Sequence, residues 1–330
     1  AQAVGTMVAC RSVDDQRFLC AAPISHAAGA LIVPVLAAGG TVILQQGFEP
    51  GRFLQAVAQH RATMTMLVPT MIAAVLDHPA RERVDLSSLQ LILYGAAPMA
   101  TDRIRQAMNA FGPILVQSYG QTEAPSTVLL LDRDDHCHPD PAVLASAGRP
   151  YPGVRVSLLD DNDHPVVRGC VGELCVRGAL VMDGYLRQPE QTAAVFRGGW
   201  LHTGDLARQD EHGFYHLVDR KKDVIISGGF NVYPKEVEDV IATWPGVVAV
   251  AVIGLPDDKW GEAVTAILVM APDTVLDADA LRASVRARKG AVATPKIIKV
   301  RDALPLTSLG KIDKKALRAP FWLNYDRPIN

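Results

Sequence analysis

Along the first 130 residues, helical and strand-like patterns of hydrophobic positions take turns. The segment RFLQAVAQHR, residues 52–61, has one apolar stripe with the spacing of a helix face, formed by Phe53, Leu54, Val57 and Ala58. Three short apolar runs have the composition of strands: TMTMLV at 63–68, LQLILYG at 89–95 and ILVQSYG at 114–120. Strands that alternate with helices in this way predict a mostly parallel sheet that is covered on both faces.

A second amphipathic segment connects the last two of these predicted strands. It reads MATDRIRQAMNAFG, residues 99–112, and its predicted inward face consists of Ala100, Ile104, Ala107 and Phe111. Two of the predicted strands end in glycine-bearing loops, YGAAP at 94–98 and YGQTE at 119–123. Since ligands of parallel sheets bind beyond the carboxyl ends of the strands, we expect both loops to lie at a binding site.

The pattern changes after about residue 145, where short strands and turns replace the helices. Strand-like runs occupy 153–160 and 171–178, and the segment 204–219 predicts a hairpin that turns around residues 211–213. A small β-barrel or sandwich subdomain fits this pattern.

A charged segment, DRKKD at 219–223, precedes a third region. Two helical patterns and three strand-like runs follow it, which predicts a compact α+β domain. The predicted helices span 234–244 and 277–290, and the predicted strands span 247–255, 263–270 and 296–304. We therefore predict an α/β fold with four parts: part of an α/β body at 1–145, a barrel-like subdomain at 146–218, a hinge at 219–223 and a mobile C-terminal domain at 224–330.

Composition and charge add four constraints. Hydrophobic residues make up 49% and charged residues 21%, with no apolar run long enough for a membrane span, so we expect an ordinary globular protein. Five cysteines without a repeating framework predict reduced thiols and a cytoplasmic location. The net charge of −2 divides into −6 for residues 1–219 and +4 for residues 220–330, so a basic module could attract a nucleotide. Sparse aromatic residues argue against nucleic-acid binding.

Taken singly, the polar stretches permit two interpretations each. In YGQTE, Thr122 and Glu123 could hold a phosphate and its Mg²⁺, or Glu123 could be a solvated residue of a turn. Asp205 in HTGD could accept the two hydroxyls of a ribose, or belong to the hairpin. We expect the histidine-rich segment DDHCHPD at 134–140 to be an exposed loop and not a metal site. Cys170 and Cys175 are predicted to be inert.

The order of the motifs changes this balance. Seven stretches follow one another between residues 15 and 318 as they do in the adenylate-forming superfamily, and the chain closely resembles its fatty-acyl and aryl-CoA ligases. The seven stretches are YGAAP, YGQTE, GELCVRG, TGD, DRKKD, GGFNVYPKEVE and LTSLGKIDKKAL. Such a set at this order is very specific, because an accidental match would have to recur seven times.

The resemblance implies roles for individual residues of the N-terminal body. Thr122 would hold the α-phosphate of ATP, Glu123 would bind Mg²⁺ and take part in catalysis, and Asp205 with Arg220 would grip the ribose. The remaining implied nucleotide-binding residues are Gly95, Ala96, Ala97, Tyr119, Gly120 and Gln121. The acyl pocket would be lined by His26, Tyr94, Gly95 and Gly120, although His26 could equally be a packed histidine with one hydrogen bond.

The resemblance also implies a two-step mechanism. Lys311 would enter the site as a mobile cation while the carboxylate attacks ATP, and rotation about Lys222 would then withdraw it. The loop with Gly228, Gly229 and Phe230 would next admit the pantetheine of CoA, because glycine lets a ligand approach the backbone closely. Lys222 could equally be a plain surface charge.

The implied function is the ATP-dependent conversion of an apolar carboxylic acid into acyl-CoA, AMP and pyrophosphate. An enzyme that loads a carrier protein is an alternative, but no insertion is visible between 178 and 219, which favours CoA. A non-catalytic binding fragment is the other alternative. The phosphate loop that ends in Pro-Lys-Gly in this superfamily is absent, so we expect a partial enzyme that turns over poorly alone. Its expected protein partner is either a second copy of the chain or a missing upstream segment. In this superfamily a hydroxyl-bearing or small residue often precedes Gly-Lys, where this chain has Leu309. We expect this difference to affect only the placement of Lys311.

Overall fold

The fold was obtained as a computed structural model, which describes residues 1–9, 15–307 and 312–322. The chain forms two compact units. The first comprises Ala1–Thr203 and Ala207–Leu217, and the second comprises Gly204–Leu206 and Val218–Asn330. Each unit has its own hydrophobic core.

A seven-stranded sheet organises the first unit. Its order is β2-β1-β3-β4-β5-β6-β7, with parallel pairing from β2 to β5 and antiparallel pairing from β5 to β7. The strands are β1 (Arg17–Cys20), β2 (Thr41–Leu44), β3 (Met64–Leu67), β4 (Leu91–Gly95), β5 (Leu115–Gln121), β6 (Ala124–Leu131) and β7 (Arg149–Pro150). All five predicted features of the region 52–120, the three strands and the two helices, are confirmed.

Helices accompany this sheet, and their starts follow from local sequence. They are α1 (Gln2–Ala9), α2 (Ile32–Ala37), α3 (Pro50–His60), α4 (Pro69–Leu76), α5 (Thr101–Phe111) and α6 (Arg133–His136). The helix α3 begins where Glu49 accepts hydrogen bonds from the amides of Gly51 and Arg52, with Pro50 in the first turn. In α5, Ile104 and Ala107 are buried as predicted, but Ala100 is exposed because it lies before the helix as its N-cap.

Both faces of the parallel sheet are buried, as the alternation of patterns predicts. On β4, Ile92 and Tyr94 pack in one core cluster, whereas Leu91 and Leu93 pack in another. Successive side chains of a strand point to opposite faces, so a continuous apolar run is what a doubly covered strand requires.

A second sheet, formed mostly by residues of the first unit, contains the predicted hairpin. Its order is β10-β11-β9-β8, with β12 paired to β11. The strands are β8 (Arg155–Leu159), β9 (Gly172–Arg177), β10 (Phe196–Arg197), β11 (Trp200–Gln209) and β12 (Tyr215–Arg220), and helix α7 (Pro189–Val195) precedes β10. The hairpin turn is closed by the Asp210 carboxylate, which accepts hydrogen bonds from the amides of His212 and Phe214.

The second unit is an α+β structure around a five-stranded sheet. Its order is β14-β13-β16-β15, with β17 parallel to β16. The elements are β13 (Ile225–Ser227), β14 (Phe230–Val232), α8 (Pro234–Ala242), β15 (Val247–Asp257), β16 (Gly261–Met270), α9 (Ala278–Ala293), β17 (Ile297–Val300) and α10 (Lys314–Trp322). The predicted α/β class is thus confirmed for the body and the predicted α+β character for the C-terminal part. Among the helices of the described residues, none has both the length and the apolarity that crossing a bilayer requires.

Candidate functional site

The two glycine-bearing loops lie side by side at the carboxyl ends of neighbouring strands. Strands β4 and β5 are parallel, and Gly95 is paired with Ser118. A Cβ atom on Gly95 would lie 2.2 Å from the carbonyl oxygen of Ser118, and one on Gly120 would lie 2.5 Å from the amide nitrogen of Ser126. Only glycine fits at either position, so Gly95 lets the first loop lie close to β5 and Gly120 lets the second loop lie close to β6.

The backbone leaves β4 in an unusual conformation. Ala96 has a φ of 65°, a left-handed conformation that costs a non-glycine residue about 1–3 kcal/mol. Ala96 and Ala97 are both exposed, next to the buried Gly95. The strained turn therefore presents backbone and small side chains to solvent at the sheet edge, together with Tyr119, Gly120 and Gln121 of the second loop.

Tyr94 lies below this edge, inside the core. Its hydroxyl is 3.1 Å from Gln117 Oε1 and 3.0 Å from His136 Nε2, while His136 Nδ1 donates to the carbonyl oxygen of Asp132 at 2.7 Å. Burial raises the pKa of Tyr94 and lowers the pKa of His136, because both ionised forms lose their hydration. The expectation that 134–140 is an exposed loop is wrong for His136, which is 2% exposed because α6 turns it inward against Tyr94.

Glu123 closes the second loop and has a partner that sequence reasoning missed. The Tyr185 hydroxyl donates to Glu123 Oε1 at 2.7 Å, and this hydrogen bond raises the pKa of Tyr185 to about 12. The carbonyl oxygen of Glu123 accepts from the amide of Met182 at 2.9 Å. An ionised carboxylate has about four acceptor sites, so one hydrogen bond orients it and leaves capacity for a cation. A carboxylate beside the exposed hydroxyl residue Thr122 suits Mg²⁺ and phosphate oxygens. No sequence motif links Tyr185 to this loop, since 62 residues separate it from Glu123.

Asp205 and Arg220, both in the second unit, form an ion pair. Arg220 Nε lies 3.3 Å from Asp205 Oδ1, and the Asp205 side chain is only 14% exposed, whereas that of Arg220 is 56% exposed. Because the arginine is exposed to solvent, this ion pair contributes little to the stability of the fold. Its guanidinium holds the carboxylate in one orientation, which is what recognition of a diol requires.

The charged segment 219–223 is anchored on its C-terminal side. Arg318 of α10 donates to Asp223 Oδ1 at 2.7 Å and to the carbonyl oxygen of Lys222 at 3.3 Å. The Asp219 carboxylate accepts from the amides of Arg220 and Lys235, and burial raises its pKa while Lys314 opposes that shift. The side chain of Lys222 is exposed. Arg318 of α10 therefore anchors the carbonyl group of Lys222 and the side chain of Asp223.

The loop of Gly228 and Gly229 adjoins a cationic pocket that the sequence did not reveal. The amide of Gly228 donates to the carbonyl oxygen of Trp260 at 2.8 Å, and both glycines have positive φ. The pocket has a volume of about 400 Å³, and its charged and aromatic lining consists of Trp260, Arg282, Arg286 and Lys296. Lys296 Nζ lies 4.8 Å from the centre of the Trp260 ring, and burial lowers the pKa of Lys296. Phe230, beside the glycines, is 64% exposed.

Two predicted site residues remain to be placed. Lys311 lies outside the described residues, and so do Leu309 and Gly310. The residues on either side of that gap approach each other, since Leu306 and Ile312 form an antiparallel bridge and the amide of Asp313 donates to Pro305 at 2.8 Å. His26 is exposed, with its Nδ1 atom 2.9 Å from Ser25 Oγ.

Family comparison identifies the class of protein that carries this arrangement. The model of the AMP-binding enzyme family matches residues 1–186, and that of the AMP-binding enzyme C-terminal domain matches residues 236–311. The chain belongs to the AMP-binding enzyme family. The predicted resemblance to adenylate-forming acyl-CoA ligases is thereby confirmed.

Individual relatives narrow the comparison. The chain is 46% identical to the medium/long-chain-fatty-acid–CoA ligase FadD8 of Mycobacterium tuberculosis, over all of this chain and 59% of the relative. It is 44% identical to feruloyl-CoA synthase of an Amycolatopsis species, over 96% of this chain and 64% of the relative. The solved structure of the amide bond synthetase McbA from Marinactinospora thermotolerans superposes with a TM-score of 0.89 at 40% identity, over 97% of this chain and 65% of that one. The chain thus spans about three fifths of the length of the relatives it matches.

Proposed function

We propose that this chain is part of an enzyme that activates an apolar carboxylic acid with ATP and transfers the acyl group to CoA. The observation that carries the proposal is the position of YGAAP and YGQTE at the carboxyl ends of the neighbouring parallel strands β4 and β5, where Gly95 is paired with Ser118. This edge of a parallel sheet is where such folds bind nucleotides. Membership of the AMP-binding enzyme family supports the same ligand.

In the first half-reaction, a carboxylate oxygen attacks the α-phosphorus of ATP and pyrophosphate leaves. Thr122 would donate a hydrogen bond to the α-phosphate, and Asp205 would accept from the ribose hydroxyls with Arg220 holding its orientation. Glu123, oriented by Tyr185, would hold Mg²⁺, which when bound neutralises phosphate charge. The two reactants are both anions, so the Lys311 ammonium would stabilise the charge that accumulates as they meet.

In the second half-reaction, the thiol of CoA attacks the acyl carbonyl carbon and AMP leaves. The pocket beside Gly228 supports CoA as the thiol, because it combines an aromatic ring with three cationic side chains. An indole stacks on a purine, and arginine and lysine side chains bind phosphates, so the pocket suits the phosphorylated adenosine end of CoA. The two glycines would let the pantetheine pass close to the backbone.

The class of acid follows from the loops and the relatives. Gly95, Ala96, Ala97 and Gly120 are small, and relatives of the chain are named for fatty acids and for ferulate. We infer an acid with a long or aromatic apolar body. Among the described residues, Cys20, Cys137 and Cys170 are free thiols, which fits the reducing cytoplasm.

Two other functions remain as alternatives. One of the similar solved structures is that of an amide bond synthetase, so an amine or a carrier-protein thiol could replace CoA as the acceptor. The cationic pocket favours CoA, since an amine would need no phosphate-binding side chains. A non-catalytic binding fragment is opposed by the presence of Thr122, Glu123, Asp205, Arg220 and Lys311 together.

The experiment measures the two half-reactions separately in the chain extended to the length of its relatives. Lys311→Ala is expected to lower pyrophosphate release about 10²–10³-fold and to spare thioester formation from supplied acyl-adenylate. Lys315→Ala, at an exposed position of α10, is the matched control and should leave both rates unchanged. Equal loss in both half-reactions would contradict the role of Lys311, and no acid-dependent pyrophosphate release in the unmodified enzyme would contradict the function.

Trp260→Ala separates CoA from the other acceptors. This variant should raise the KM for CoA at least tenfold, because it removes the aromatic ring of the pocket. Adenylation should be unchanged, because Trp260 belongs to the second unit whereas YGAAP and YGQTE belong to the first. An unchanged KM for CoA, with transfer to an amine or a carrier protein faster than to CoA, would favour the alternatives.

A further inference from the structure

A buried group of metal-binding side chains lies on the second sheet of the first unit. Glu173 and Cys175 are two residues apart on β9 and share one face, opposite the core residues Leu174 and Val176. His202 on β11 joins them, and all three residues are at most 7% exposed. The proposed acyl-CoA ligase chemistry uses none of the three.

The three ligand atoms converge on one point. His202 Nδ1 lies 3.1 Å from Glu173 Oε2 and 3.4 Å from Cys175 Sγ, and all three ligand atoms lie within 4.8 Å of one another. Zinc bound tetrahedrally to oxygen, nitrogen and sulfur at their usual distances would separate nitrogen from oxygen by about 3.3 Å and nitrogen from sulfur by about 3.6 Å. The first two separations therefore match a zinc site to within a few tenths of an ångström.

The orientation of the His202 ring is also that of a metal ligand. Arg197 Nη2 lies 3.0 Å from His202 Nδ1, and since arginine can only donate, this contact favours the tautomer with a lone pair on Nδ1. The hydrogen is then on Nε2, which is buried and makes no hydrogen bond with any residue in the described part of the chain. Nε2 faces Asp163 Oδ1 at 3.6 Å. A carboxylate behind the distal nitrogen is the usual second partner of a metal-bound histidine.

We propose that Glu173, Cys175 and His202 bind a divalent cation with the preferences of zinc, and that Arg197 occupies this position when the cation is absent. The Arg197 side chain is 42% exposed, so its guanidinium can leave towards solvent, and it keeps a partner in Asp163 at 3.2 Å. On binding, the Cys175 thiol releases its proton to solvent and the thiolate bonds to the metal. One carboxylate and one thiolate then balance the two charges of the cation.

The alternative is a closed charge network in which Arg197 is the permanent partner of the two carboxylates. Arg197 Nη2 lies 3.8 Å from Glu173 Oε2, so this network needs no metal. The two interpretations make opposite predictions for Arg197→Ala. Removing a competitor strengthens metal binding, whereas removing the permanent partner of a charge network leaves buried carboxylates unpaired and creates no affinity for metal.

The first experiment titrates the complete chain with Co²⁺ and then displaces it with Zn²⁺. All variants carry Cys137→Ser, because the exposed Cys137 next to His138 could bind cobalt adventitiously. A thiolate-to-cobalt charge-transfer band is expected with one equivalent of metal, bleached by one equivalent of Zn²⁺. Cys175→Ser should abolish the band, and Cys170→Ser, at an exposed cysteine, should retain it. No band, or a band that survives Cys175→Ser, would overturn the proposal.

The second experiment does not depend on a buried substitution. Arg197→Ala is expected to lower the dissociation constant for Zn²⁺ at least tenfold, measured by competition with a chromophoric chelator. The midpoint temperature of thermal unfolding of this variant should rise with added Zn²⁺, because the metal binds only the folded state. A dissociation constant that is unchanged or larger than in the parent protein would refute the exchange between Arg197 and the metal, even if Cys175→Ser failed to fold.

Discussion

The first unit gathers polar side chains in two places, and it does so in different ways. At the carboxyl ends of β4 and β5, two loops expose backbone and small residues, and the second loop carries one oriented carboxylate, Glu123. On β9 and β11, Glu173, Cys175 and His202 are enclosed, and their polar atoms face one another. The first arrangement is open to solvent, whereas the second is enclosed by the protein.

This contrast predicts which measurement a substitution at each site should change. A half-buried carboxylate that accepts one hydrogen bond from a tyrosine stabilises the fold only modestly, so its removal should be visible mainly in catalysis. A buried carboxylate among a histidine and an arginine is costly to unpair, so its removal should be visible in folding. Two glutamates on one unit are thereby separable by experiment.

The largest expected effect is that of Glu123→Gln on adenylation. We expect a loss of about 10²–10³-fold in acid-dependent pyrophosphate release, because the amide cannot supply the negative charge that Mg²⁺ requires. The free energy of unfolding should change by less than about 0.5 kcal/mol, since the Tyr185 hydroxyl can still donate to the amide oxygen.

Glu190→Gln is the matched control, since Glu190 lies in the first turn of α7 and is exposed. It should leave both activity and stability unchanged. A Glu123→Gln enzyme that retains its adenylation rate, or that loses activity only because it unfolds, would contradict the assignment of Glu123 to the metal.

The next effect is on stability and belongs to the enclosed cluster. Glu173→Gln should destabilise the metal-free protein by about 3 kcal/mol, because Arg197 and His202 lose a buried partner. Urea unfolding in the presence of a chelator measures this difference. A change below about 0.5 kcal/mol would show that the cluster is solvated and would remove the contrast between the two glutamates.

A substitution at Gly95 tests how closely the end of β4 packs against β5. Gly95→Ala should cost about 1–3 kcal/mol, because its Cβ would lie 2.2 Å from the Ser118 carbonyl oxygen. Gly5→Ala in α1 is the control, since its Cβ meets nothing nearer than 3.9 Å and alanine favours the helix by up to about 1 kcal/mol. The two substitutions should therefore shift the unfolding midpoint in opposite directions, and shifts of the same sign would contradict the close packing of β4 on β5.

The sequence revealed the open site better than the enclosed one, for a physical reason. Loops that bind a nucleotide need glycine and small residues beside polar ones at strand ends, so YGAAP and YGQTE could be located from local pattern alone. The enclosed cluster depends on strand pairing between residues 27 positions apart, Cys175 and His202, and no periodicity encodes that. Tyr185 and Trp260 escaped prediction for the same reason, since a single aromatic residue far along the chain carries no motif. Two residues were predicted wrongly. Ala100 was predicted within a helix but lies just before the start of α5, and His136 was predicted in a loop but lies in the short helix α6.

The smallest expected effect concerns the hydrogen bond that orients Glu123. The pKa of Tyr185 is raised to about 12 from an ordinary value of 10 mainly because its hydroxyl donates to the carboxylate. In the difference between parent and Tyr185→Phe, tyrosinate absorbance should therefore stay near zero up to about pH 11. The Glu123→Gln background should return this group towards its ordinary pKa. Since the raised pKa belongs to the folded state, the stability from this bond is complete below about pH 10 and is lost as the pH rises towards 12. A Tyr185 that titrates near pH 10 in both backgrounds would mean that Glu123 is not held by this hydroxyl, and the open site would then lack its one oriented carboxylate.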